Sequence, residues 1–206
     1  MKRYIVILIL LFIALYCYGV AIDDVILQAL SKPIPVLLLM AQVKLNSKYN
    51  FLVFTGLFFS FAGDVLLLSL IDKFIWGLTA FLVAHLFYIG AFLLRDRRFR
   101  IVSMLFFYGA GGAVLYYLYP HLGELMLPVS VYVFVIISMA WRAYMQRNYS
   151  KVSIYAFMGA VIFVLSDLML SYNKFIYTYH YATITSIIPY WTAQFLIAKS
   201  TIEKAD

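Results

Sequence analysis

The residues FIWGLTAFLVAHLFYIGAFLL at positions 74–94 form an unbroken apolar run without a lysine, an arginine or an acidic residue. A helix needs about 20 such residues to cross the hydrocarbon core of a bilayer, so this run is long enough to be a transmembrane helix. Similar runs lie on both sides of it, separated by short polar connections. The eight predicted spans are Tyr4–Ile22, Val25–Val43, Phe51–Leu70, Phe74–Leu94, Ile101–Leu118, Leu125–Tyr144, Val152–Ser171 and Tyr177–Ala198.

The composition also indicates a membrane protein. Of the 206 residues, 66% are hydrophobic and 12% are charged, whereas soluble domains are about half apolar and a quarter charged. The net charge is +7, and the basic residues lie in short loops between apolar runs, which argues against a nucleic-acid partner. We therefore predict an all-α integral membrane protein with eight transmembrane helices, forming a single domain over residues 1–206.

The basic residues alternate between the two sides of this bundle. With a cytoplasmic N-terminus, the cytoplasmic set comprises Lys2, Arg3, Lys44, Lys48, Arg95, Arg97, Arg98, Arg100, Arg142, Arg147, Lys151, Lys199 and Lys204. The opposite set comprises Lys32, Lys73 and Lys174. Cytoplasmic loops carry an excess of lysine and arginine, so both termini are predicted to be cytoplasmic. The expected location is the inner membrane of a bacterial cell, as a multi-pass protein.

Two segments of the chain resemble each other. Residues 63–69 (GDVLLLS) match residues 166–171 (SDLMLS), and after a two-residue gap residues 72–74 (DKF) match residues 173–175 (NKF). This match predicts two parallel four-helix halves, over residues 1–100 and 101–206, each with one aspartate at a similar depth. The alternative is a chance similarity between short apolar segments, and both interpretations are open.

Two acidic residues, Asp64 and Asp167, fall well inside predicted spans. A carboxylate inside a bilayer is costly unless it is paired or hydrated, so each is a candidate functional group. At about 1.5 Å per residue, Asp64 lies about 9 Å and Asp167 about 6 Å from the outer end of its span. The two carboxyls are predicted to share one layer in the outer half of the bilayer. Their alternative role is to hydrogen-bond helices together.

Lys32 is the predicted positive counter-charge for these carboxyls, and it lies about 10 Å from the outer face. Pro33 and Pro35 follow it, and proline removes a backbone donor, which predicts that the second helix breaks or begins here. Backbone groups freed by such a break would favour a polar site. The alternative is an interfacial lysine that extends to water ahead of a short helix beginning at Pro33.

Three other polar residues lie in the middle of spans: His85 in the fourth, and Tyr190 and Gln194 in the eighth. A lone histidine inside a span is often hydrogen-bonded to a neighbour, which is the structural alternative for His85. The three histidines of the chain form no H-x-x-x-H pair, and Cys17 is the only cysteine. No metal site and no cofactor are therefore predicted.

At this point the motifs resemble the YhhN-like lysoplasmalogenase family of integral membrane proteins. The segments that carry the resemblance are Lys32–Pro35, Gly56–Asp64, Gly77–His85, Ser166–Asp167 and Tyr190–Ser200. They cover nearly the whole chain, and their Gly-Asp, Ala-His and Ser-Asp elements follow the order expected of the family. Each motif is short, but together they are fairly specific.

The resemblance implies hydrolysis of the vinyl ether bond of lysoplasmalogens, which yields a fatty aldehyde and glycerophosphocholine or glycerophosphoethanolamine. The expected partners are a lysophospholipid substrate and membrane lipids. Such a bond opens when an acid protonates its alkene carbon and water adds to the resulting oxocarbenium ion. The hypothesis is that Asp64 and Asp167 supply acid and base, as paired carboxyls do in glycosidases. Lys32 would hold the phosphate or act electrostatically on an aspartate. The residues expected to line the pocket or position water are His85, Asn173, Tyr190 and Gln194.

Two other functions are compatible with these residues. Paired intramembrane aspartates beside a broken helix are also typical of a small proton-coupled transporter. A non-catalytic lipid-binding protein would bind lysolipid without turning it over.

Overall fold

The computed structural model describes residues 3–179 and 181–202, and within these ranges the chain is helical without a β-strand. Lys2, His180 and Lys204 lie outside the described residues. The elements are α1 (Arg3–Ala21), α2 (Val25–Ser31), α3 (Ile34–Met40), α4 (Lys48–Leu66), α5 (Phe74–Arg95), α6 (Ile101–Leu122), α7 (Met126–Gln146), α8 (Ser153–Phe175) and α9 (Ala182–Lys199), with a 3₁₀ turn at Gly123–Leu125.

Each of the eight predicted runs contains helix, and the second run contains two short helices, α2 and α3. Five helical stretches within the described residues are long and apolar enough to cross a bilayer, and one of them holds both α6 and α7. The prediction of an all-helical integral membrane protein is therefore confirmed. Eight crossings and cytoplasmic termini stay predictions.

The break between α2 and α3 lies at Lys32 and Pro33. Asp24 caps α2 by accepting hydrogen bonds from two backbone N–H groups of its first turn, as capping residues do. Pro33 cannot donate a backbone hydrogen bond, so α2 ends before it and α3 begins after it. The second run is thus broken at the predicted point, and Lys32 lies at the break.

Glycines allow the helices that carry the aspartates to approach their partners closely. A Cβ atom at Gly63 of α4 would lie 2.6 Å from the ring of Phe81 on α5. A Cβ atom at Gly159 of α8 would lie 2.8 Å from the carbonyl oxygen of Ala193 on α9. These two close pairs, α4 with α5 and α8 with α9, form the centre of the bundle.

The two similar segments differ in conformation after their aspartates. Helix α4 ends at Leu66, and the following turn closes with a hydrogen bond of 3.1 Å from the Lys73 amide to the Leu66 carbonyl. Helix α8 instead continues to Phe175. The predicted span ends, Leu70 and Ser171, are therefore corrected, and Asp64 lies much nearer the end of its helix than Asp167 does.

The opposite end of the bundle is held by arginines. The Arg95 guanidinium lies 3.4 Å from the centre of the Tyr49 ring and donates to the Ser200 carbonyl at 3.2 Å. In the loop between α5 and α6, hydrogen bonds from the Arg98 side chain lower the pKa of the Asp96 carboxyl below its ordinary value. The charged side chains at this end contact loop backbone and neighbouring side chains, so their role is to hold the loops and helix ends together.

Candidate active site

One cavity brings together the two aspartates and the lysine that the sequence singled out. It is lined by Lys32, Asp64, Asp167 and Tyr190. The cavity lies between the end of α4, the second half of α8 and the start of α9, beside the break at Lys32. Residues from α4, α8 and α9 thus meet Lys32 at one polar site between the helices.

Asp64 is enclosed by the protein, with 1% of its surface exposed. The Tyr190 hydroxyl donates a hydrogen bond of 2.8 Å to its Oδ2 atom. The Lys32 ammonium acts on the same carboxyl through space as the opposite charge. A buried carboxylate needs such partners, because an isolated charge in an apolar environment is strongly unfavourable.

Lys32 is positioned by the end of α4. Its Nζ atom donates to the Leu67 carbonyl oxygen at 3.3 Å. Leu67 is the C-terminal cap of α4, where unpaired carbonyls and the helix dipole favour a positive charge. An ammonium has three donors, so one bond to Leu67 leaves others available to a ligand in the cavity.

Asp167 is held by a different pair of side chains. The Tyr132 hydroxyl of α7 donates a hydrogen bond to Asp167 Oδ2. The Nε2 atom of His85 on α5 lies 3.0 Å from the Tyr132 oxygen and 4.0 Å from Asp167 Oδ2. The Tyr132 hydroxyl thus lies within hydrogen-bond distance of both side chains. Asp167, Tyr132 and His85 therefore form a chain of hydrogen bonds.

Asp167 also lies where three cavities meet. Besides the cavity of Lys32, it lines one between α5, α7 and α8 that includes Lys174, and another between α6, α7 and α8 with mostly apolar walls. Its side chain is 14% exposed, so the carboxyl faces empty space that a ligand can fill. Asp64 reaches only the first of these three cavities.

The sequence profile of the YhhN family matches residues 27–201 of this chain. This chain belongs to the YhhN family. The matched region contains every residue of the cavity described above.

Curated relatives of this YhhN-family chain carry the name lysoplasmalogenase. Human "Lysoplasmalogenase TMEM86A" is 33% identical over 161 residues, which cover 75% of this chain and 66% of the relative. Human "Lysoplasmalogenase TMEM86B" is 30% identical over 84% of this chain and 75% of the relative. A mycobacterial "Lysoplasmalogenase" from Mycobacterium bovis is 36% identical over 50% of this chain and 41% of the relative. The chain thus spans about two thirds of the length of the first of these relatives. No solved structure matches it.

The other predicted pocket residues of the YhhN-family chain lie outside these cavities. His85 is fully buried, and its hydrogen-bond partner is Tyr132. Its Nε2 atom lies 4.0 Å from Asp167 Oδ2. Gln194 is fully buried too, and its Oε1 atom accepts a hydrogen bond of 2.7 Å from Tyr88. Asn173 lies in the last turn of α8 rather than in a connection, and lines none of the three cavities around Asp167. Their contribution to the cavity is therefore indirect.

Tyr132 is the residue that sequence analysis missed. It is one of 18 tyrosines in the chain, and its place in an apolar run has no spacing that separates it from the others. Only the packing of α7 against α5 and α8 reveals it as the bridge between His85 and Asp167.

Proposed function

We propose that this YhhN-family protein hydrolyses the vinyl ether bond of alkenyl lysophospholipids to a fatty aldehyde and a glycerophospho-alcohol. The observation that carries the proposal is the cavity shared by Asp64, Asp167 and Lys32. The names of the curated relatives support it. The two carboxyls suit the acid-labile alkene of the substrate, and the cation of Lys32 suits its phosphate.

The chemistry needs a proton donor and a proton acceptor, and no nucleophilic serine. One carboxylic acid adds its proton to the alkene carbon, and the ether oxygen stabilises the resulting oxocarbenium ion. The second carboxylate takes a proton from water as the water oxygen bonds to the cationic carbon. The hemiacetal then collapses when the protons return through the same two carboxyls, which releases the aldehyde and the alcohol. Paired carboxyls perform the equivalent steps on glycosidic bonds.

Lys32 would hold the substrate phosphate. Its ammonium lies at the cavity wall with donors to spare, and a phosphate oxygen is a strong acceptor. Tyr190 and the Tyr132–His85 pair would keep the two carboxyls oriented. Gln194 and Asn173 would support the surrounding helices.

We further propose that the chain crosses the bilayer eight times with both termini in the cytoplasm, in the inner membrane of a bacterial cell. The alternation of basic residues along the chain supports this orientation. The cavity then lies towards the outer face, at the level where a lysophospholipid has its glycerol and its vinyl ether.

The bundle is proposed to consist of two related halves. Helix α4 packs on α5 as α8 packs on α9, and α3 contacts α9 as α7 contacts α5. The contacts of the aspartates cross over in the same way. Asp64 of α4 bonds to Tyr190 of α9, while Asp167 of α8 faces His85 of α5. These two pairs lie on corresponding helices of the two proposed halves.

The test is the release of aldehyde by the purified protein in detergent. The substrates are an alkenyl lysophospholipid and its acyl and alkyl analogues with the same headgroup. Release from the alkenyl lipid alone is the expected result. Release from the acyl lipid would indicate an esterase, and no release by a folded protein would exclude the proposed activity.

A proton-coupled carrier is the second candidate, and the broken helix beside two aspartates favours it. Such breaks line the substrate sites of many transporters. Reconstitution distinguishes the two functions, because a carrier moves a solute across sealed liposomes whereas a hydrolase consumes its lipid. A non-catalytic lipid-binding protein would do neither, and would bind lysolipid with either aspartate replaced.

A further inference from the structure

We propose that the substrate lies across α8 at Asp167, with its alkenyl tail between α6, α7 and α8 and its phosphate at Lys32. In this orientation Asp167 is the acid that protonates the alkene, and Asp64 is the base that activates water. This inference rests on the proposed hydrolysis and assigns the substrate orientation and the two roles that the hydrolysis leaves open.

The tail site is the cleft between α6, α7 and α8. Its walls include Val114, Ile137 and Val164, and Asp167 is its only charged residue. The neighbouring cavity between α5, α7 and α8 contains Lys174 and follows α8 to its end, so it suits a hydrocarbon chain less well. Burial of apolar surface favours a tail in the cavity without a second charge.

The tail cavity and the cavity of Lys32 lie on two faces of α8, with Asp167 between them. On α8, the tail cavity is lined by Val164, Leu168 and Ser171, and the cavity of Lys32 by Ser166 and Leu170, while Asp167 lines both. At about 3.6 residues per turn, Asp167 falls between these two groups around the helix. Asp64 lines only the cavity of Lys32. Around α8, the order is therefore the tail cavity, then Asp167, and then Lys32 with Asp64.

A vinyl ether has a fixed order of atoms that this arrangement can match. Starting from the headgroup, the order is the glycerol oxygen, the carbon C1 bonded to it, the alkene carbon C2 and the hydrocarbon tail. The proton must be added at C2, on the tail side, and water must be added at C1, on the headgroup side. The carboxyl beside the tail cavity is Asp167, and the carboxyl beside the headgroup is Asp64.

The surroundings of the two carboxyls agree with these roles. Asp64 shares its cavity with the Lys32 ammonium, and a positive charge there suits the group that must act as a carboxylate and accept a proton from water. Asp167 instead has the Tyr132 hydroxyl as its hydrogen-bond partner and His85 Nε2 at 4.0 Å. When Asp167 has given its proton to C2, Tyr132 and His85 hold the resulting carboxylate until it takes the hydroxyl proton of the hemiacetal. Asp64 then returns its proton to the glycerol oxygen, which restores both groups.

Azide distinguishes the two roles, because it can add to an oxocarbenium ion but cannot donate a proton. Asp64→Ala and Asp167→Ala are each incubated with an alkenyl lysophospholipid and sodium azide. With Asp64→Ala, we expect an adduct in which azide is bonded to C1 and a proton has been added to C2, detected by mass spectrometry. With Asp167→Ala, we expect no adduct, because no cation forms. An adduct with Asp167→Ala, or none with a folded Asp64→Ala, would overturn the assignment.

A matched pair of valine substitutions tests the position of the tail. Val114→Phe narrows the tail cavity, whereas Val131→Phe makes the same change at a side chain of α7 that is 46% exposed. We expect Val114→Phe to lower kcat/KM for a hexadecenyl lipid by about tenfold or more, the size of effect that small changes in apolar pockets have. The kcat/KM for an octenyl lipid should stay unchanged, because its tail is shorter. Val131→Phe should leave both substrates unchanged. Equal losses for long and short tails, or no loss at all, would overturn the tail site.

The wild-type protein separates this inference from the proposed function. If the wild type releases no aldehyde, vinyl ether hydrolysis itself is excluded. If the wild type is active but the azide and tail-length results are not as expected, only the orientation and the roles are wrong.

Discussion

The two aspartates of the cavity have the same kind of first partner and very different surroundings. Each accepts a hydrogen bond from a tyrosine hydroxyl, Asp64 from Tyr190 and Asp167 from Tyr132. Asp64 is enclosed and lies near a lysine, whereas Asp167 borders three cavities and is backed by a histidine. The comparison teaches that identical side chains can be given separate roles by the charge and the empty space around them.

The two environments share one aromatic wall. The ring of Phe163 on α8 lies 5.4 Å from the ring of Tyr190 and 4.7 Å from that of His85. Phe163 is completely buried, so it fixes both partners relative to each other. The side chains that contact the two aspartates are thus connected through one buried ring.

The largest effect is expected from the aspartates themselves. We expect Asp64→Asn and Asp167→Asn each to lower kcat for vinyl ether cleavage by about a thousandfold, the scale of general acid–base catalysis. Asp72→Asn is the matched control, because Asp72 is exposed in the turn after α4 and asparagine tolerates its positive φ of 45°. Aldehyde release measures all three. Full activity in either cavity variant would remove that aspartate from the mechanism.

The next effect concerns the histidine behind Asp167. A hydrogen bond to a charged group contributes about 1.5–3 kcal/mol, so Tyr132→Phe should lower kcat by roughly ten- to a hundredfold. If His85 acts through Tyr132, His85→Leu should add little to Tyr132→Phe but should add its full effect to Tyr190→Phe. A double-mutant cycle in kcat measures this coupling. Additive losses in both backgrounds would show that His85 acts independently of Tyr132.

A smaller effect is expected from the lysine beside Asp64. Lys32→Met should raise KM for an alkenyl lysophospholipid by about tenfold, the lower end of what a charged hydrogen bond contributes. An alkenyl glycerol without phosphate should show no such rise. Lys174→Met is the control, because Lys174 lines the neighbouring cavity without Asp64. An equal rise in KM for both lipids would mean that Lys32 does not contact the phosphate.

The smallest effect on activity is expected from the packing beneath Asp64. Gly63→Ala places a Cβ atom 2.6 Å from the Phe81 ring, and such overpacking destabilises by about 1–3 kcal/mol. Gly112→Ala is the control, since a Cβ atom there would have no heavy atom within 4 Å. The thermal unfolding midpoint in detergent should fall only for Gly63→Ala. An unchanged midpoint would show that α5 can move away from α4 at little cost.

The sequence was most informative where a single residue has a large effect on the free energy of folding in a membrane. Carboxyls in apolar runs are costly, so Asp64 and Asp167 could be selected from the sequence, and the structure brings both to one cavity. Pro33 has no backbone N–H to continue the second helix, so the break could be predicted too. The family prediction was confirmed by the match to the YhhN family.

The sequence was least informative where several helices contribute together. Asn173 was expected in the pocket but lies in the last turn of α8 outside the cavities, because α8 continues beyond its predicted end. Tyr132 was overlooked because its role depends on a histidine 47 positions earlier and an aspartate 35 positions later.

Length, hydropathy and proline act locally, so the sequence alone predicts a bundle of apolar helices with two intramembrane carboxyls and a broken second helix. Tertiary packing is what brings Lys32 to the cavity of Asp64, Tyr132 and His85 to Asp167, and Asp167 to the apolar cavity. A cavity exists only between side chains of different helices, and which side chains meet depends on how closely glycine lets those helices approach.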